Sequence, residues 1–206
     1  ESFSRCSKLI PYVDIPIQHA DDRVLRRMRR GLGWERTREL LGRIRASAPE
    51  MAIRTTVITG FPGESEEEFQ AMLDALAEFE FDNLGAFAYS TEDGTPAGEM
   101  GEQVPEEVRA ERRDRVMAQQ RRISLRRNRA RIGRGYSVLI DRVDEKRGVA
   151  RGRWTGQAPE IDGHVTVRFS SAEVRPGVLL PVRIEGAGPY DLTARPESEI
   201  QAEILV

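Results

Sequence analysis

The residues best suited to chemistry in this sequence follow short apolar runs. Gly60-Phe61-Pro62-Gly63-Glu64 comes after the β-branched run Ile53-Arg54-Thr55-Thr56-Val57-Ile58-Thr59 and before a helix start at Ser65. Glycines at such a junction let backbone approach a ligand closely. In parallel barrels and sheets, ligands bind at the carboxyl ends of the strands. Phe61 is placed to stack on an aromatic ring. The same residues also make a tight strand-to-helix turn stiffened by a proline, and the residue types leave both readings open. A phosphate-binding loop is excluded, because no Gly-Lys-Ser/Thr follows and the acids from Glu64 onward repel phosphate.

Gln18-His19 also follows an apolar run that ends at Ile17. A neutral imidazole beside an amide can hydrogen-bond a polar ligand, or the pair can face solvent at a strand end. Arg54 interrupts an otherwise apolar strand. A buried arginine needs an anionic partner, such as a ligand carboxylate, whereas a strand-start arginine reaching solvent needs none. Cys6 has no base beside it in sequence and reads as a plain thiol. His164, at the start of a later strand, reads as structural or exposed. A single cysteine excludes an internal disulfide framework and any cysteine cage for zinc or an iron–sulfur cluster within this chain. The two histidines lie far apart, so no metal site is expected.

These residues must be held by alternating strands and helices. Ile10 to Ile17 is a short apolar strand bounded by prolines. Asp21 or Asp22 can cap a helix with Val24, Leu25 and Met28 on one face, and a second helical pattern through Leu40, Leu41 and Ile44 stops at Pro49. The run at 53–59 is a buried-strand signal. Ser65 and Glu68 have capping-box spacing, and Glu66 and Glu67 suit the positive end of a helix. Phe69, Met72, Leu73 and Leu76 share its apolar face. A further strand spans Leu84 to Ser90. Such alternation predicts βαβ units around a parallel sheet, three of which fit before residue 103. Pro105 then opens a long arginine-rich helix with a thin apolar stripe of Val108, Val116 and Ile123. From Tyr136 the pattern changes to period two, in runs at 136–140, 149–154, 165–169, 179–184, 190–194 and 201–206. That predicts a small antiparallel barrel of OB-like type, with the domain boundary at Gly133–Gly135. The expected domains are residues 1–134, including the arginine-rich helix over 103–134, and residues 135–206.

Charge is unevenly spread. Among 206 residues, 32 are basic and 34 acidic. Between Gln103 and Gly135, eleven arginines stand against four acids, whereas residues 136–206 carry nine bases and eleven acids. The arginine-rich helix can bind RNA or form a solvated face paired with the acidic helix. No apolar run approaches the roughly 18 residues of a membrane span. The first residues lack the order of a secretory signal, so a cytoplasmic protein is the default expectation.

Taken together, the motifs resemble the radical S-adenosylmethionine methylthiotransferases. The resemblance is carried by Pro11 to Ala20, by Val24 to Gly31, by Arg54 to Ser65, by Phe87-Ala88-Tyr89-Ser90, and by Asp93 to Ala97. Gln103-Val104-Pro105-Glu106 fits as well. Arg151-Gly152-Arg153 with Gln157 to Gly163 resembles the TRAM domain of that family. The strings Tyr12 to His19 and Ala158 to Gly163 are closer to members that modify ribosomal protein uS12 than to tRNA-modifying members, which more often carry Gln-Ser at the place of Gln18-His19. A slightly acidic barrel also suits a basic protein partner better than RNA.

The resemblance implies the second half of a partial β/α TIM-like radical SAM barrel followed by a TRAM barrel. It implies S-adenosylmethionine and two 4Fe–4S clusters in the full-length enzyme, whose radical chemistry methylthiolates the β-carbon of an aspartate in uS12. The cluster cysteines and the N-terminal methylthiotransferase domain are expected outside this chain, which then carries no cluster and is inactive alone. The substrate protein is expected to dock through the TRAM domain. By the same resemblance, Gln18, His19, Arg54, Ile58, Gly60 and Phe61 are candidate cofactor-binding residues. Ile58 and Gly60 fall in a loose Gly-x-Ile-x-Gly-x-x-Glu motif that packs the adenine, with Thr56 in place of the first glycine and Glu64 one place late. Backbone from Val57 to Phe61 is expected to carry that contact, and Tyr89 and Ser90 to face the substrate. No side chain stands out as catalytic. A tRNA adenosine substrate, or a TRAM-type binding module without catalysis, are the other readings.

Overall fold

A computed structural model describes Cys6, residues 8–170 and residues 173–204. The element order begins β1 (Tyr12–Asp14), α1 (Asp22–Arg27), α2 (Trp34–Ser47), β2 (Ala52–Thr59), α3 (Glu66–Phe79), β3 (Asn83–Ala88) and α4 (Glu106–Arg129). It continues β4 (Gly135–Asp144), a 3-10 turn at Glu145–Arg147, β5 (Val149–Arg153), β6 (Val165–Arg168), β7 (Leu179–Ala187), β8 (Leu192–Pro196) and α5 (Glu197–Ile204). The chain divides inside α4, after Ile123, into a sheet unit and a barrel unit, with Ile10–Tyr12 grouped with the latter.

The sheet unit has strand order β1-β2-β3. β2 and β3 run parallel, with Arg54 opposite Asn83 and Ile58 opposite Phe87. β1 is shorter than the expected run because Pro11 and Pro16 lack the amide that a ladder needs. The chain rejoins β2 through a parallel bridge between Gln18 and Val57. β2 alternates strictly in burial. Ile53, Thr55, Val57 and Thr59 point into the helices, while Arg54, Thr56 and Ile58 face the other side. The core joins Val57, Phe69, Met72, Leu76, Phe81, Leu41 and Val116. α3 starts with the expected capping box, Ser65 receiving the Glu68 amide and Glu68 the Ser65 amide. Asp21 caps α1, accepting from the amides of Arg23 and Val24. α4 occupies Glu106–Arg129 rather than all of 103–134, and buries Val116 and Ile123.

The barrel unit is closed, in the order β4-β5-β6-β8-β7. Val138, Ile140, Ala150, Val165, Val167, Val182, Ile184 and Leu192 fill it. Two details correct the sequence reading. β6 and β8 pair in parallel, so the barrel is not wholly antiparallel. The run at 201–206 is no strand where described: Glu197–Ile204 is helical, and residues 205–206 lie outside the described residues. Helix formers dominate there, and Glu197 and Glu199 favour a helix N-terminus. Likewise the strand expected from Tyr190 starts only at Leu192.

Candidate functional site

The loop after β2 turns sharply twice, with Gly60 at φ +71° and Gly63 at φ +76°. Both lie in the left-handed region, where a side chain is disfavoured. Space forbids one as well. A Cβ on Gly60 would overlap the Arg109 side chain, and one on Gly63 the Arg27 guanidinium.

A strand-to-helix loop leaves carbonyls without ladder partners, and buried ones need donors. Here arginines supply them. Arg27 Nη1 donates to Pro62 O (2.9 Å), Arg23 Nη2 to Gly63 O (2.9 Å) and Arg112 Nη1 to Glu64 O (3.0 Å). Arg109 donates to the carbonyls of Val104 (2.6 Å) and Tyr89 (3.0 Å). Each clamp except Arg109 has its own carboxylate: Arg27 pairs with Glu102, Arg23 with Glu68, and Arg112 with Glu64 and Glu66. Hydrogen bonding to Arg23 holds the Glu68 carboxyl down at about 2. Arg115, and after it Arg112, lowers Glu66 in the same way.

The loop presents Phe61, whose ring meets Tyr89 edge-to-face at 5.2 Å between centroids. The Arg109 guanidinium lies over the Tyr89 ring at 5.2 Å. Phe61, Ile58 and Gln18 line an open cavity of about 310 Å³ together with Arg27, Met28, Arg29, Arg30, the loop Thr95-Pro96-Ala97 and Met100. Gln18 sits there at φ +66°, unusual for a residue with a side chain. Two bonds to β2 hold it: its amide donates to Thr56 O, and its carbonyl accepts from Ile58 N, each at 2.9 Å. Ile58, Phe61, Met28 and Met100 give the cavity apolar faces, and Gln18, Arg27, Arg29 and Arg30 its polar groups, a lining that suits a flat heteroaromatic ring.

Of the six candidate residues, Gln18, Ile58 and Phe61 meet at this cavity, with Gly60 in the adjoining turn. His19 is fully buried behind it. Arg54 lies toward the start of β2, about 13 Å along the strand from Ile58. Its Nε is 3.3 Å from Asp14 Oδ2, so its carboxylate partner is a side chain of this chain. Tyr89 packs on Phe61, as described, and Ser90 Oγ donates to Glu92 at 3.4 Å. Cys6 is exposed. Sequence reasoning missed Arg23, Arg27, Arg109 and Arg112, because they reach the loop from two helices remote in sequence. Glu64 was visible only as an acid after the glycine turn.

The barrel carries a second, polar cavity of about 340 Å³, lined by Arg142, Arg151, Arg153, Glu160, Asp162 and His164 among others. His164 Nδ1 lies 2.7 Å from Asp191 Oδ1 and 3.0 Å from Arg151 Nη2. Among the described residues, no three His, Cys, Asp or Glu side chains are grouped to hold a metal ion, and no helix is long and apolar enough to cross a membrane.

Residues 2–76 match the radical SAM superfamily, and residues 132–196 match the TRAM domain. The chain is 46% identical over 193 residues to the ribosomal protein uS12 methylthiotransferase RimO of an Anaeromyxobacter species, covering 93% of this chain and 41% of that protein. It is 47% identical over 187 residues to the RimO protein of Symbiobacterium thermophilum, covering 90% of this chain and 38% of that protein. With that of Thermus thermophilus it shares 46% over 185 residues, 90% of this chain and 42% of the other. The chain thus spans about two-fifths of the length of these relatives.

Proposed function

We propose that this chain, which joins a radical SAM segment to a TRAM domain, is the later part of a radical SAM enzyme that methylthiolates ribosomal protein uS12. The observation that carries the reading is the identity of about 46% with uS12 methylthiotransferases over nine-tenths of the chain. The cavity at Phe61 supports it. S-adenosylmethionine fits these residues: Ile58 and Phe61 offer apolar faces to an adenine ring, Gln18 offers an amide to its edge, and Gly60 lets backbone come close. When bound together with a reduced cluster, the cofactor supplies a carbon-centred radical able to take hydrogen from an unactivated carbon. The residues here bind and orient its adenosyl part and keep water from that face. Iron–sulfur ligation does not fit this chain, because Cys6 is its one cysteine and a cluster of this class takes several thiolates. No step is therefore assigned to a cluster on these residues, and the chain by itself is expected to be inactive.

The target in this reading is the β-carbon of an aspartate in uS12. The barrel, with its slight acidic excess, docks that basic protein, and the polar cavity at Arg151 and His164 lies on this unit. Anaerobic iron–sulfur reconstitution of the full-length protein, followed by mass analysis of uS12, tests the reading. It expects one methylthio group on uS12 with the long form and none with this chain alone. No modification of uS12 by the reconstituted long form would overturn it. A tRNA substrate is favoured by one observation, the exposed Arg121, Arg122, Arg126 and Arg129 on α4. tRNA binding whose log affinity falls with log salt by about 0.9 per phosphate contact would support that alternative.

A further inference from the structure

Behind the cavity wall, His19, Glu64 and Arg112 are buried together. The Glu64 side chain is fully enclosed, which an unpaired carboxylate does not tolerate. Its Oε1 accepts from Arg112 Nη1 at 2.8 Å, and its Oε2 accepts the Gly60 amide at 2.9 Å. Arg112 thus pairs with Glu64 as well as with Glu66.

The ring of His19 has its proton placed by its neighbours. Nδ1 accepts the amide of Asp21 at 3.0 Å, so the neutral ring carries its hydrogen on Nε2. Nε2 lies 3.4 Å from Glu64 Oε2, off the line of a full hydrogen bond, and has no other partner. A buried donor with an acceptor within reach is drawn to that acceptor, since an unmade buried hydrogen bond costs stability. The acceptor is the oxygen that holds Gly60.

We propose that His19 is a positioning residue for the Gly60–Phe61 turn. The Gly60 amide and Arg112 set which way the Glu64 carboxylate faces, Oε2 toward Gly60 and Oε1 toward Arg112, and the Nε2–H of His19, 3.4 Å from Oε2, reinforces that facing. The Gly60 amide in turn sets the direction in which Phe61 enters the cavity. Gly60 has no side chain of its own, so the bond to its amide, with the Arg109 side chain packed against it, sets this geometry. In the proposed function the consequence is tighter binding of the adenosyl group, and that clause rests on the reading above.

Three measurements on wild type, His19→Leu and His19→Gln test the proposal. In nitrogen-15 spectra of this chain, His19 should show a protonated Nε2 and a bare Nδ1. His19→Leu should speed amide exchange at Gly60 about tenfold, the equivalent of about 1.4 kcal/mol. Exchange at Ile53, whose amide donates to Asp82 Oδ2 at 3.0 Å at the far end of β2, should stay unchanged. His19→Gln, whose amide can donate to Glu64 in place of the ring, should restore protection at Gly60. In the full-length protein, S-adenosylhomocysteine should bind about tenfold more weakly to His19→Leu and regain affinity in His19→Gln. An unprotonated Nε2, or Gly60 exchange indifferent to His19→Leu, would overturn the proposal. If Gly60 responds as stated while the full-length wild type binds no S-adenosylhomocysteine, the positioning role stands and the adenosyl reading falls.

Discussion

Single side chains hold the loop after β2, and each makes its own prediction. Gly60→Ala places a methyl group into Arg109 at a left-handed backbone position. It should cost about 2–4 kcal/mol, read as a lower midpoint in urea unfolding. Arg23 with Glu68 predicts a pH effect. The Glu68 carboxyl sits at about 2 in the folded chain against 4.5 ordinarily, first because of its bond to Arg23. A depressed carboxyl adds stability that is complete above its unfolded value and is lost as pH falls through the folded one. Stability should therefore decline between pH ~4.5 and ~2. Half-exposed Arg23 screens the pair, so the share from Glu68 is about 1–2 kcal/mol. Denaturant titrations across that window should show a shallower decline for Glu68→Gln than for wild type. Phe61→Ala should weaken S-adenosylhomocysteine binding by the full-length protein about tenfold through loss of the ring face, measured by calorimetry.

Among elements, α3 depends on its start. Ser65→Ala removes the side-chain half of the capping box and should destabilise the chain by about 1 kcal/mol, seen by circular dichroism on urea unfolding. This cap was legible in the sequence, because capping is local: a serine, a glutamate three residues on, and an apolar face behind them. β2 was legible for the same reason, its β-branched residues marking a strand buried on one side. What was not legible depends on distance. The parallel pairing of β6 with β8 joins residues almost thirty apart, and period-two patterning says nothing of strand direction. The run at 201–206 shows the opposite failure: apolar residues at its end outweighed the helix formers before them. At the site, Gln18 and Phe61 could be placed from strand ends, whereas Ile58 followed only from the family resemblance. Arg54 could not, since its pairing with Asp14 depends on which strand lies beside β2. The arginine clamps were hidden for that reason too, as guanidiniums three methylenes and a helix away from the carbonyls they serve.

At the scale of the molecule, the two units have separate cores and one tryptophan each. Trp34 packs edge-on against Phe79 in the sheet unit, and Trp154 against Tyr136 in the barrel. Trp34→Phe and Trp154→Phe therefore leave one fluorescent reporter per unit. Val167→Ala, in the barrel core, should cost about 2 kcal/mol and lower the midpoint reported by Trp154 more than that reported by Trp34. The units differ in one further respect. The barrel closes on itself, so every strand has two neighbours. Among the described residues β3 pairs only with β2, and it carries Phe87 with 59% of its surface open to solvent. An edge strand that presents an apolar ring is a template for strand addition. Concentrated solutions of the chain should accordingly self-associate through the flank of β3, as turbidity or light scattering that a proline placed on that flank abolishes, while the barrel remains a spectator.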